Sequence, residues 1–274
     1  MWLFHQQRDD CQAILTEPGK AAFQVQQSGF VGEIDQVGAV TSLTYGWMIM
    51  QVPETILGTA IATAMLPTLS EFAARGNWEA FRDTVERALR VLIALTLPVA
   101  AVMAAGIHPL VRAVFGFDET ITTLLTWTTR AYLLTLTGFA IQEVAARSFY
   151  ARKEPMFPLY AVGLRLVIFL GISITGVTFL REIGAPVIAF AEIALLIEAI
   201  LLFTWLSKRT HVPLLVGGAV MRGLVAALLG GAIAYILALF VPGGAILTAL
   251  LGMAVGGIVA LVIIWQDVRL LLHL

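Results

Sequence analysis

Residues 41–69 read TSLTYGWMIMQVPETILGTAIATAMLPTL. A helix needs roughly 20 predominantly apolar residues to cross a bilayer, and this run is longer than that. Pro53, Glu54 and Pro67 interrupt it, among many Gly, Ala and Thr residues. A carboxylate or a mid-run proline is tolerated at membrane depth where other helices or a water-filled cavity cover it. The stretch therefore reads as a transmembrane helix that faces protein or a solvent path rather than lipid alone.

Composition extends that reading to the whole chain. Of its 274 residues, 59% are hydrophobic and 13% charged, and mean hydropathy is +0.90. Soluble domains carry about 25% charged residues. An all-α integral membrane protein follows. The formal net charge of −1 provides no field to recruit nucleic acid. Cys11 is alone, so no internal disulfide is expected, and no spacing suggests a metal site, a P-loop or another cofactor motif. His5, His108, His211 and His273 lie at segment ends or near the termini and read as solvated interface residues. No catalytic arrangement of nucleophile and base is suggested, so an enzyme is not expected.

Residues 1–40 differ in kind. They are polar and Gln-rich, hold no spanning run, and lack the basic n-region and apolar core of a secretory signal. They are expected to form a poorly structured tail or to be a truncation scar. Beyond them, apolar runs of helix length lie near 41–69, 89–115, 121–149, 156–180, 183–206, 216–241 and 246–265. None alternates like a strand of an outer-membrane barrel. About seven transmembrane helices are expected, as a five-helix bundle over 41–206 and a C-terminal pair with a short tail over 207–274.

Basic residues orient the bundle by the positive-inside rule. Arg75, Arg82, Arg87, Arg90, Arg147, Arg152, Lys153, Lys208, Arg209, Arg222 and Arg269 fall on one side, against Arg112 and Arg181 on the other. The first set marks the cytoplasmic side and places the C-terminus there. Within the 70–90 loop, Asn77 can cap a helix. Trp78, Phe81, Val85 and Leu89 then recur at helical spacing, opposite Arg82–Glu86, Asp83–Arg87 and Glu86–Arg90 pairs. Residues 77–90 are expected to form an amphipathic helix on the cytoplasmic membrane surface.

Ionisable residues inside spans point to function, because each costs several kcal/mol unless paired or hydrated. Glu54, Arg130, Glu143, Arg165, Glu192 and Glu198 qualify, with Gln51 one turn before Glu54. Arg165 and Glu198 both fall about 12–14 Å from the cytoplasmic ends of consecutive antiparallel helices, so an Arg165–Glu198 pair is expected. Glu192 lies six residues before Glu198, about 120° around an ideal helix, and is expected to need another partner or water. These groups either staple helices or line a polar cavity. The last two spans are glycine-rich. Gly223, Gly230, Gly252 and Gly256, the last two forming a GxxxG, suit close helix packing or a smooth lipid-facing groove.

The residues Tyr45-Gly-Trp-Met-Ile-Met-Gln-Val-Pro53, the run from Gly58 through Pro67 to Ser70, the Gly76-Asn77 loop and Phe149-Tyr-Ala-Arg-Lys-Glu-Pro155 resemble the MviN/MurJ lipid II flippases. The resemblance covers residues 40–274. It implies the second lobe of a two-lobe transporter, lacking that lobe's first helix, followed by the two helices of a hydrophobic groove. The family belongs to the multidrug/oligosaccharidyl-lipid/polysaccharide exporter class. It moves an undecaprenyl-pyrophosphate-linked glycan across the bacterial cytoplasmic membrane for peptidoglycan synthesis. The resemblance thus implies membrane lipids and a lipid II-like substrate as partners. It also implies a separately encoded first lobe or self-association. Where the family carries a basic residue five positions before the first proline and an acid two before it, this chain has Met48 and Gln51. An inactive membrane scaffold and a polysaccharide exporter are the rival readings.

Overall fold

The computed structural model describes residues 38–179, 184–209, 214–240 and 245–269. The expected tail therefore lies outside the described residues except at its end, as do Cys11, His5, His211, His273 and Arg181. The first long helical segment runs from Ala39 to Ala74 in three parts: α1 (Ala39–Pro53), a π-helical turn (Glu54–Thr59) and α2 (Ala60–Ala74). The π turn begins where Pro53 lacks the N–H that an α-helix would use. Next come α3 (Trp78–Phe115), α4 (Glu119–Ala151) and α5 (Met156–Phe179). A broken span follows, α6 (Gly184–Ala191) and α7 (Ala194–Arg209). The chain then forms α8 (Gly217–Phe240), α9 (Ala245–Ile263) and the single turn α10 (Trp265–Val268).

Six helical segments among the described residues are long and apolar enough to cross a membrane. They are Ala39–Ala74, Trp78–Phe115, Met156–Gly176, Val187–Arg209, Gly217–Leu239 and Ile246–Ile263. The chain is a multi-pass helical membrane protein. The run expected at 121–149 is helical, as α4, but is not among these six. Its threonines explain why. Alpha4 is the central helix, packed by α1, α2, α3, α6 and α7. Thr126, Thr128 and Thr129 return their hydroxyls to carbonyls four residues back at 2.7–2.8 Å. A helix covered by protein, with its hydroxyls satisfied internally, needs no apolar perimeter.

The expected surface helix over 77–90 is instead the start of the continuous 38-residue α3. Asn77 does cap it, its Oδ1 accepting from the Ala80 N–H at 3.2 Å. Phe81, Val85 and Leu89 are fully buried against the bundle rather than laid on lipid. At 1.5 Å per residue α3 is about 57 Å long, well beyond an apolar core of about 30 Å, so it must extend out of the membrane. Arg82 pairs with Glu86 at 3.0 Å and Arg90 with Glu86 at 3.9 Å, while Arg87 reaches the Asp83 backbone carbonyl.

Two buried apolar clusters hold the five-helix part. One centres on Tyr132, with Trp47 edge-on to Tyr132 at 5.6 Å and to Phe139 at 5.5 Å. The other joins α2, α3, α4 and α7 through Leu69, Leu89, Phe149 and Leu206. The Phe149-Tyr-Ala element closes α4 in a Schellman turn. The Glu154 N–H bonds Phe149 O and the Lys153 N–H bonds Tyr150 O. Lys153 takes the left-handed position, with φ of 60°, which costs a residue with a Cβ about 1–2 kcal/mol. Lys153→Gly is expected to stabilise the protein by about 1 kcal/mol. A heating series on the detergent-solubilised protein would show it as a raised midpoint, and an unchanged or lower midpoint would refute it.

Candidate functional site

The charged residues of α5, of α7 and of the break before α7 converge within the helical bundle. Arg165 Nη2 lies 2.9 Å from Glu192 Oε2 and its Nη1 lies 3.5 Å from Glu198 Oε2. Both glutamate side chains are fully buried, and the Arg165 side chain is 16% exposed. Its guanidinium also sits 5.6 Å from the centre of the Phe139 ring. The expected Arg165–Glu198 pair is present at the outer limit of hydrogen-bond distance. Glu192, expected to point elsewhere, makes the shorter contact to the same guanidinium.

The break between α6 and α7 is the reason. The N–H groups of Glu192, Ile193, Leu195 and Leu196 each bond the carbonyl three residues back, at 2.8–3.2 Å. That is 3₁₀ geometry, with 3.0 residues per turn in place of 3.6. Tightening the winding rotates Glu192 toward the face that carries Glu198. Two carboxylates thus share one guanidinium. Their remaining oxygens, Glu192 Oε1 and Glu198 Oε1, are buried with no hydrogen-bond partner among the described residues. The cluster holds α5 to the broken span and leaves two buried carboxylate oxygens as spare acceptors.

The other expected site residues are placed separately. Glu54 is 3% exposed in the π turn, where its Oε1 accepts from Thr59 at 2.9 Å. That i,i+5 contact belongs to the wider π winding. Gln51 is half-buried on α1, while Met48, Val52 and Ile56 beside it are exposed. Arg130 donates Nε to the Ala104 carbonyl of α3 at 2.9 Å and lies over Trp127 at 5.2 Å. Glu143 is ion-paired with Arg147, whose other terminal nitrogen donates to Thr63 of α2 at 3.2 Å. Arg147, one of the basic residues that orient the bundle, thus links α4 to the first span.

The four singled-out glycines are packing surfaces. A Cβ on Gly230 would stand 2.7 Å from the Gly256 carbonyl oxygen, and one on Gly252 would stand 2.8 Å from that of Ala234. Gly256 faces the Gly230 carbonyl in turn. Gly223 abuts Ile93 and Ala94 of α3. Alpha8 and α9 are therefore in backbone contact, and no smooth channel runs between them along these residues. An apolar space lies on another side, between α3 and α9. It is a half-open cavity of about 250 Å³ whose lining includes Leu95, Pro98, Met253, Gly257, Ala260 and Ile264.

Sequence reading also missed Asp267. This fully buried acid takes two hydrogen bonds from Arg222, at 2.6 and 2.7 Å, and lies 3.6 Å from Arg90. An arginine in the first turns of one span and an acid just past the end of the next were the available signal.

The family profile described as "Lipid II flippase MurJ" matches residues 30–255. The chain is 31% identical over 178 residues to a probable lipid II flippase MurJ of Rhizobium meliloti (strain 1021), covering 64% of this chain and 33% of that protein. It is 27% identical over 177 residues to the lipid II flippase MurJ of Burkholderia cenocepacia, covering 63% and 34% respectively. The chain thus spans about a third of the length of these curated relatives. A solved structure described as lipid II flippase MurJ in an inward closed conformation superposes with a TM-score of 0.69. Identity there is 19%, over 86% of this chain and 49% of the other, a likeness of fold.

Proposed function

Because the chain belongs to the MurJ lipid II flippase family, we propose that it forms part of a transporter moving a polyprenyl-pyrophosphate-linked glycan across the bacterial cytoplasmic membrane. In this reading residues 41–206 serve as most of a second lobe and residues 207–274 as the terminal pair. The side rich in Arg and Lys faces the cytoplasm, with the C-terminus on it. The protein is a transporter and not a catalyst, driven by an ion gradient or the membrane potential.

The observation that carries the reading is the buried Arg165–Glu192–Glu198 cluster. Charges at this depth are costly and mark substrate or ion pathways. The polar head group would pass Gln51, Glu54, Arg130, Glu143 and this cluster, while the lipid chain follows the apolar cavity between α3 and α9. Alternating access by rocking of one repeat against another needs a first lobe beside these residues. The exposed Met48, at 47%, favours one rival: a chain without the family's basic residue there would be a membrane scaffold.

Complementation tests this. The chain would be expressed alone, and joined to the first lobe of a relative, in a bacterium depleted of its own lipid II flippase. Rescue is expected from the joined form. Rescue by the chain alone would assign it self-association. Failure of both forms, with the protein present in the membrane, would favour the scaffold.

A further inference from the structure

Alpha8, α9 and α10 meet the rest of the molecule chiefly through α3. At the cytoplasmic end that attachment is ionic. The chain turns at Ile264, and the Asp267 and Val268 N–H groups both bond the Ile264 carbonyl, at 2.9 and 3.1 Å. This turn drives the Asp267 carboxylate inward until 1% of it is exposed. Arg222 of α8 grips both of its oxygens, and Arg90 of α3 stands 3.6 Å away. One turn earlier on α3, Glu86 accepts the Leu215 N–H at 3.2 Å, just before α8 begins. Alpha10 and the residue before α8 are thus tied directly to a single stretch of α3, and α8 is tied to it through Asp267.

A buried ion pair adds little net stability over apolar packing of the same shape. A bidentate arginine–carboxylate contact does fix orientation. The network lies beside the apolar cavity, since Ile264, three residues before Asp267, lines it opposite Leu95 and Pro98. The α3–α9 seam also closes at the far end, where a Cβ on Gly106 would stand 2.6 Å from Met253. We propose that Asp267 is a positioning residue, an ionic latch that holds α8–α10 against α3 so that the cavity keeps its width and travels with α3 as one body. Only the cavity's occupant, a lipid chain, rests on the transporter reading; the latch does not.

The test places spin labels at Val114 of α3 and Val262 of α9, which are 60% and 72% exposed, in a Cys11→Ser background reconstituted in vesicles. A single narrow distance distribution is expected for the parent and for Asp267→Glu. Asp267→Asn is expected to broaden it. A distribution for Asp267→Asn that superimposes on the parent's overturns the latch. Should that variant fail to accumulate, Arg222→Lys, which keeps the charge but loses the two-point grip, is read the same way: broadening supports the latch and no change overturns it. A photoreactive polyprenyl phosphate supplies the second reading. Labelling of α3 and α9 is expected in the parent and is expected to fall about tenfold in Asp267→Asn, equivalent to roughly 1.4 kcal/mol. Broadened distances with no labelling of the parent would leave the latch standing and remove the lipid chain from the cavity.

Discussion

Arg165→Ala is expected to destabilise the protein by about 3–5 kcal/mol, the range for removing one partner of a buried ion pair. The variant leaves Glu192 and Glu198 fully buried without the guanidinium they share. Thermal loss of monodisperse protein in detergent would measure the effect, and a midpoint equal to the parent's would refute it. Combining the change with Glu192→Gln and Glu198→Gln removes the stranded charges and should recover part of the stability, because an uncompensated buried charge costs more than a buried amide. That triple variant separates two roles. Joined to a first lobe, it is expected to fold and yet fail to transport. Wild-type transport by it would reduce the cluster to a staple between α5 and the broken span.

Gly230→Val is expected to separate α8 from α9 at a cost of about 3 kcal/mol, the upper range for overpacking. The obstruction is backbone: the new Cβ would stand 2.7 Å from the Gly256 carbonyl oxygen, with Ala260 at 3.2 Å and Val102 at 3.3 Å. A side chain could rotate away, but a carbonyl within a helix cannot without moving the helix. Gly217→Ala is the matched control, since nothing lies within 4 Å of a Cβ there. Disulfide cross-linking between α8 and α9 should drop in Gly230→Val and persist in Gly217→Ala. Equal cross-linking in both would show that the seam tolerates bulk.

Much of the site was open to sequence reading, because depth in a membrane follows from counting residues. Arg165 and Glu198 could be brought to one level in this way, and the distance of 3.5 Å agrees. Glu192 could not, because the count assumed 3.6 residues per turn through a segment that winds at three. The π turn at Glu54 defeats the same assumption in the opposite direction, bringing Thr59 to the carboxylate from five residues away. Both departures arise at charged residues inside spans, where a local change of winding gives a buried carboxylate its partner.

Apolar length, sparse charge and the asymmetry of Arg and Lys were determined by the sequence by itself. Together they specify a multi-pass helical membrane protein and predict its direction in the bilayer, because lipid demands internally satisfied backbone whatever the helices pack against. Which helix sits in the middle was decided only by tertiary structure. The Thr-rich α4 takes that place since its neighbours replace lipid around it, and α3 runs on from its buried amphipathic start for the same reason. Asp267 shows the difference most directly. On the sequence it is one acid in a short polar end, 45 residues from Arg222. Only the close approach of α8 and α9, set by glycines without side chains, brings the two charges together.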